Sequence, residues 1–270
     1  MEEIIRFLGL KGKNLLIILD YDGTLTEIVN DPLEAKLSET RKKILEDLSN
    51  KTEVTLVISS GRSIEELLLV TNDIQIDLLG NHGLFYRENS SNDYITTVDQ
   101  KDLDIWDHEM LEMREYLKES VIPKYNRLWL QENKHGFVLH TRLMEKEDKN
   151  TFLLEINGLL KNKFKDISHS IGKEIIEIKP SKIINKGKGI EWYLKNKFIG
   201  HTEINSRIIT AGDDVTDEDM FNYVNKLKNG ISIKIDDSKS QKSVYKTSAR
   251  VIFRSITEFY EFLNELNKQI

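Results

Sequence analysis

A parallel-sheet α/β core interrupted by an α+β insert is the fold class that three observations predict. Two short apolar runs end abruptly in acids: Leu15–Leu19 leads into Asp20-Tyr21-Asp22-Gly23-Thr24-Leu25-Thr26, and Arg207–Gly212 leads into Asp213-Asp214-Val215-Thr216-Asp217-Glu218-Asp219. From Leu15 to Gly80, strand and helix patterns alternate in the rhythm of a parallel sheet covered on both faces. After Tyr86 the rhythm changes to helices beside adjacent hairpin strands, and the α/β pattern resumes beyond Pro180.

Each element follows from local pattern. Met1–Lys13 reads as a short helix and a leading loop. Leu15–Leu19 has the length and composition of a strand buried on both faces. Its acids then lie at the strand's carboxyl end, where ligands bind in open α/β sheets. Asp31-Pro32 marks a break, and Ser38–Leu48 predicts a helix with Ile44, Leu45 and Leu48 on one face. Val54–Ser59 is a second buried strand, ending in Ser60-Gly61-Arg62. Ser63 and Glu66 have capping-box spacing for a helix that turns Ile64, Leu67 and Leu68 inward. Asp77–Gly80 is a third strand, ending in Asn81-His82-Gly83.

Tyr86–Asp104 reads as a polar hairpin or crossing linker and Ile105–Tyr125 as a helix. Arg127–Glu132 and Gly136–Arg142 read as strands about a turn at Asn133-Lys134-His135. Lys146–Phe164 is helical, and Ile167–Ser170 with Glu174–Lys179 forms a hairpin about Gly172. After Lys186-Gly187, a helix turns Ile190, Tyr193 or Leu194, and Phe198 inward. Met220, Phe221, Val224 and Leu227 share a helix face. Ile231, Ile233 and Ile235 alternate as a strand, and Val251 and Phe253 make another. Ser255 and Glu258 have capping-box spacing before a last helix. The expected division is a core of residues 1–103 and 182–270 around a cap of residues 104–181.

Composition narrows the function. With 270 residues, 39% hydrophobic and 31% charged, the chain suits one large or two modest globular domains. A net charge of −6 argues against a nucleic-acid binder. The absence of cysteine excludes disulfides, thiolate zinc sites and cysteine nucleophiles. No signal-like or membrane-spanning run is evident, so the expectation is a cytoplasmic protein without membrane partners.

Two acid clusters at two strand ends suggest one shared anionic pocket. So many carboxylates repel one another unless a divalent cation sits among them, and all-oxygen donors suit Mg²⁺. Turn and helix-cap chemistry is the plain alternative for either cluster taken alone. An EF-hand calcium loop fails, because counting from Asp20 the glycine comes too early and Asp31 stands where Glu is required.

The Asp20–Thr26 stretch resembles the first signature of the haloacid dehalogenase-type phosphatases, and Gly212–Asp219 resembles their fourth. More narrowly, both are similar to the trehalose-6-phosphate phosphatase family. The resemblance spans Asp20 to Asp219. It implies a Rossmann-like core of the haloacid dehalogenase type with an inserted α+β cap, and a small-molecule sugar phosphate as substrate. A functional link to a trehalose-phosphate synthase goes with it. The oligomeric state is left open.

The resemblance implies roles residue by residue. Asp20 is the nucleophile and a Mg²⁺ ligand. Asp22 is general acid and then base, with its backbone carbonyl on the metal. Asp213 is the second carboxylate ligand, with Asp214 and Asp217 at the metal's edge. Thr24, Ser60, Gly61 and Arg62 lie about the phosphate, Arg62 either binding it or only pairing with an acid, and Lys186 binds it, with Lys188 as competitor. Gly187–Gly189 is not a Walker loop. In the cap, Glu132 and Lys134 bind sugar hydroxyls, Arg142 assists or structures the turn, and His140 is a strand residue; at the hinge, His82 touches the sugar or satisfies a core contact. Asn81 and Asn133 depart from the family pattern.

The chemistry needs such a set. An aspartate attacking a phosphate dianion meets repulsion on the order of 4 kcal/mol per unit-charge pair at ~4 Å and an effective dielectric near 20. A metal and a lysine offset it. Rival readings are a phosphatase for sucrose-, mannosylglycerate- or glucosylglycerol-type phosphates, a phosphomutase, and a non-catalytic sugar-phosphate sensor or synthase subunit.

Overall fold

Strand register explains how acid-bearing turns far apart in the chain come to lie side by side. The computed structural model describes all residues except 1, 30–33, 72–73, 134, 165–166, 172–173, 180–183, 199, 201–203 and 238–245. The expected breaks at Asp31-Pro32, Gly172 and Pro180 therefore lie outside the described residues. The chain runs through α1 (Glu2–Leu8), β1 (Asn14–Leu19), α2 (Glu39–Ser49), β2 (Val54–Ser59), α3 (Ile64–Thr71) and β3 (Asp77–Gly80). Two short strands, β4 (Phe85–Arg87) and β5 (Ile95–Thr96), follow. Next come α4 (Gln100–Ser120), β6 (Trp129–Asn133), β7 (Gly136–His140), α5 (Lys146–Asn162), β8 (Ser168–Ile171) and β9 (Ile175–Lys179). The chain ends with α6 (Lys186–Asn196), β10 (Ser206–Gly212), α7 (Glu218–Val224), β11 (Gly230–Ile235), β12 (Val251–Phe253) and α8 (Ile256–Gln269).

Two compact units result, residues 1–97 with 185–270, and residues 98–184. The first holds an eight-stranded sheet in the order β12-β11-β10-β1-β2-β3-β4-β5. Strands β12 to β3 are parallel, and β4 and β5 add an antiparallel edge. The central strand β1 is buried along nearly its whole length. Leu16 and Ile18 pack with Val57, Leu79 and Ile208 beneath Ile190 and Tyr193 of α6 and Met220, Phe221 and Val224 of α7. Leu15, Ile17 and Leu19 alternate to the opposite face and are equally buried. Leu19 of β1 stands beside Ala211 of β10 and Ile58 of β2, so Asp20, Asp213 and Ser60 follow from three neighbouring strand ends.

The unit of residues 98–184 is an antiparallel sheet, β6-β7-β9-β8, packed against α4 and α5. Its own core includes Trp106, Met113 and Leu117 of α4, Phe152 and Ile156 of α5, and Phe137, Leu139, Ile176 and Ile178 of the sheet. Helix α4 opens at Gln100 rather than at Ile105. Leu103 is already buried on the face that carries Trp106, and the charged residues around it masked the start of the apolar periodicity.

Candidate active site

The β1 turn closes tightly. The Gly23 N–H donates to the Thr26 carbonyl (2.8 Å) and the Leu25 N–H to the Tyr21 carbonyl (2.9 Å). Gly23 has φ +78°, and a Cβ there would fall 2.2 Å from the Asp213 carboxylate. Only glycine therefore lets the two acid-bearing turns approach. Gly212 serves likewise, since its Cβ would fall 2.2 Å from Cγ of Asp217.

Lys186 begins α6, whose N-cap Asn185 accepts the Lys188 N–H at 2.9 Å. This cap turns Lys186 inward, where it is buried, and leaves Lys188 exposed. The Lys186 ammonium donates to Asp20 Oδ1 (2.7 Å) and Asp217 Oδ1 (2.6 Å). Helix phase thus separates the two lysines, since Lys186 reaches the acids while Lys188 lies at the surface.

Asp20, Asp213 and Asp217 each offer a carboxylate oxygen, all within 4.8 Å of one another. Burial raises the Asp20 pKa to about 7, with Asp217 adding to the rise and Lys186 opposing it. Burial also raises Asp213 well above the usual range, helped by Asp20 and Asp217. For Lys186, burial lowers the pKa, but Asp20 and Asp217 outweigh it and the net direction is up. When all three carboxylates are ionised, the Lys186 ammonium balances one of them, and the two charges left match one divalent cation. Oxygen-only donors and mutual repulsion fit a hard cation there.

Asp217, expected at the metal's edge, is wholly buried. Its Oδ2 accepts the N–H groups of Asp213 and Asp214, both at 2.9 Å, so it shapes the turn as well as joining the acidic group. Asp214 is exposed and lies outside that group. The Thr24 hydroxyl donates to Asp213 Oδ1 at 3.4 Å.

Asp22 also lies outside the acidic group. Its carboxylate accepts from Arg62 Nε at 2.7 Å and Nη2 at 2.6 Å. Arg62, expected about the phosphate, thus commits two nitrogens to Asp22. Ser60 is buried, and its Oγ accepts the Arg62 N–H at 3.3 Å. Asn81 and His82 both adopt left-handed backbone, with φ 49° and 57°. Such conformations in non-glycine residues are strained and concentrate at functional sites. The His82 ring covers Gly61, so closely that a Cβ on Gly61 would lie 2.8 Å from it.

In the unit of residues 98–184, Glu132 accepts from Lys118 (2.6 Å) and Arg114 (3.1 Å) of α4. These cations lower its pKa, the Lys118 hydrogen bond foremost. Both oxygens are therefore engaged within that unit. Lys134 lies outside the described residues. Arg142 is exposed. His140 stacks on Trp129 at 3.7 Å and bonds Gln131 at 2.9 Å.

Sequence reasoning missed Lys234, a buried lysine of β11 whose ammonium donates to the Asp213 carbonyl at 2.9 Å. Its signal was a lone cation between the alternating Ile233 and Ile235. No described helix is long and apolar enough to cross a membrane.

The profile of the trehalose-phosphatase family matches residues 18–251. The chain belongs to the trehalose-phosphatase family. It is accordingly a phosphoric monoester hydrolase with a core of the haloacid dehalogenase type. It is 28% identical over 264 residues to trehalose 6-phosphate phosphatase RA3 of Zea mays, spanning 95% of this chain and 70% of that protein. Solved folds are similar too. The C-terminal domain of the C. albicans trehalose-6-phosphate phosphatase aligns with a TM-score of 0.77 and 24% identity, covering 98% of this chain and 96% of that one. The C-terminal domain of the Candida albicans trehalose synthase regulatory protein aligns with a TM-score of 0.73 and 17% identity, covering 98% and 97%.

Proposed function

We propose that this member of the trehalose-phosphatase family hydrolyses trehalose 6-phosphate to trehalose and phosphate through an aspartyl-phosphate on Asp20, with Mg²⁺ as cofactor. One observation carries this reading: Asp20, Asp213 and Asp217 bring carboxylate oxygens within 4.8 Å of one another, and the Lys186 ammonium donates to Asp20 and Asp217. Asp20 and Asp213, with Asp217 beside them, would hold the Mg²⁺, which would supply positive charge to offset the repulsion between carboxylate and phosphate.

A carboxylate oxygen of Asp20 attacks phosphorus and the bond from phosphorus to the sugar oxygen breaks. Asp22 passes its proton to that oxygen. Asp22 then takes a proton from water as the water oxygen attacks the acyl phosphate, which frees Asp20 and inorganic phosphate. Lys186 screens the developing charge, and Thr24, Ser60 and the Gly61 turn position the phosphate. Residues 98–184 are assigned to the sugar, through Arg142, which is exposed, and through Lys134. Glu132 contributes there only by exchanging its α4 partners for hydroxyls.

Phosphate release from a sugar-phosphate panel, with and without Mg²⁺, tests the proposal. Trehalose 6-phosphate should be the preferred substrate, turnover should need the metal, and Asp20→Asn should abolish it. Undiminished turnover in Asp20→Asn rejects the nucleophile assignment. Release from no sugar phosphate, despite tight binding, would favour a sensor, a reading suggested by the fold shared with a regulatory protein. The presence of both Asp20 and Asp22 favours the enzyme.

A further inference from the structure

We infer that Arg62 is a positioning residue for Asp22 and not a ligand of the substrate phosphate. The inference rests on the proposed role of Asp22 in moving the leaving-group and water protons. Nε and Nη2 of Arg62 make two parallel bonds, 2.7 and 2.6 Å, to the two oxygens of Asp22. Such a fork fixes the plane of a carboxylate, which a single contact does not. It occupies two of the four lone-pair sites of Asp22 and leaves the other two for proton exchange. The exposures match this division, since the Arg62 side chain is 7% exposed and that of Asp22 39%.

Arg62 is itself held from several sides. Its guanidinium lies 5.1 Å from the ring centroid of Tyr21, and the Tyr21 hydroxyl donates to the Ala35 carbonyl at 2.7 Å. The Arg62 carbonyl accepts the N–H of Asn81 at 2.7 Å, and the Ser60 carbonyl accepts that of His82 at 2.8 Å. The two left-handed residues are thereby tied to the turn that carries Arg62. Nη1 is buried without a hydrogen-bond partner. Nη1 is thus a donor still open to a phosphate oxygen, and the phosphate Ki of the variants below measures whether it is used.

Four variants test the inference with trehalose 6-phosphate as substrate and inorganic phosphate as competing product: Arg62→Ala, Arg62→Lys, Asp22→Asn and the Arg62→Ala/Asp22→Asn double. Loss of orientation should lower kcat by about 100-fold in Arg62→Ala. KM and the phosphate Ki should stay within about 3-fold, because binding is left in place. Arg62→Lys should recover little, since an ammonium cannot form the fork. The double variant should turn over no more slowly than Asp22→Asn, because the two residues act as a unit.

A rise in KM and phosphate Ki of about tenfold or more with kcat preserved would overturn the inference, as the signature of lost phosphate binding. Multiplied losses in the double variant would overturn it too, as would wild-type kcat in Arg62→Ala. If Arg62→Ala fails to fold by circular dichroism, Arg62→Gln replaces it under the same criteria. Asp22→Asn with wild-type turnover would instead remove the functional reading beneath the inference.

Discussion

Asp20 is an acid held among other acids, and its titration follows from that. Burial lifts its pKa in the folded chain to about 7, above the ordinary 3.8. A proton is therefore held more tightly folded than unfolded. The resulting stability is full below about pH 3.8 and is lost as pH rises through about 7. In the proposed reading, a divalent cation would take the place of that proton. The rise in Tm on adding Mg²⁺ should thus grow between about pH 5 and about pH 8. Thermal denaturation with chelator or metal at each pH measures this, and an increment independent of pH would refute it. At the same scale, Asp20, Asp213 and Lys186 were legible because each follows an apolar strand or opens a helix. The Asp22–Arg62 pair was not, since it depends on β1 and β2 being neighbours in register. Glu132 was legible as a hairpin residue but not as a partner of α4. It stands opposite Phe137, on the face the helices cover, and only the sheet pairing reveals that.

Helix α3 carries Arg62's turn into the core, and its start is set by a reciprocal cap. The Glu66 N–H donates to Ser63 Oγ at 3.2 Å, and the Ser63 N–H donates to Glu66 Oε2 at 2.8 Å. Ser63→Ala should lower stability by about 1 kcal/mol, read as a lower midpoint in denaturant with an unchanged slope. A midpoint equal to that of the wild type would show that packing of Ile64 and Leu67 alone sets the boundary. The capping signal was readable because it is local: three residues decide it. At α8 the same spacing has a different outcome. Ser255 accepts the Glu258 N–H at 3.0 Å, but Glu258 reaches back to the N–H of Arg254 at 2.6 Å. Spacing locates a helix start, whereas side-chain rotamers choose which donor is satisfied.

On the scale of the whole molecule, each unit buries its own apolar residues. Phe137 lies fully buried in the core of residues 98–184. Phe137→Ala should cost that unit about 3–5 kcal/mol. Amide hydrogen exchange should then rise across residues 98–184 while β1, β2 and β10 keep their protection. Equal loss of protection in all three strands would mean that the chain unfolds as one cooperative body.

Periodicity in the sequence alone determined most of the elements and the order of the α/β and α+β segments, and strand-end chemistry picked out the two acid-bearing turns. These are local properties, set by side-chain alternation, capping and backbone propensity. Tertiary structure alone decided which strands are neighbours. It thereby decided that Asp217 is buried against Lys186, that Asp22 is gripped by Arg62, and that Glu132 of β6 is held by Lys118 and Arg114 of α4. Pairing and register are non-local, and they come from burying whole faces of a sheet at once.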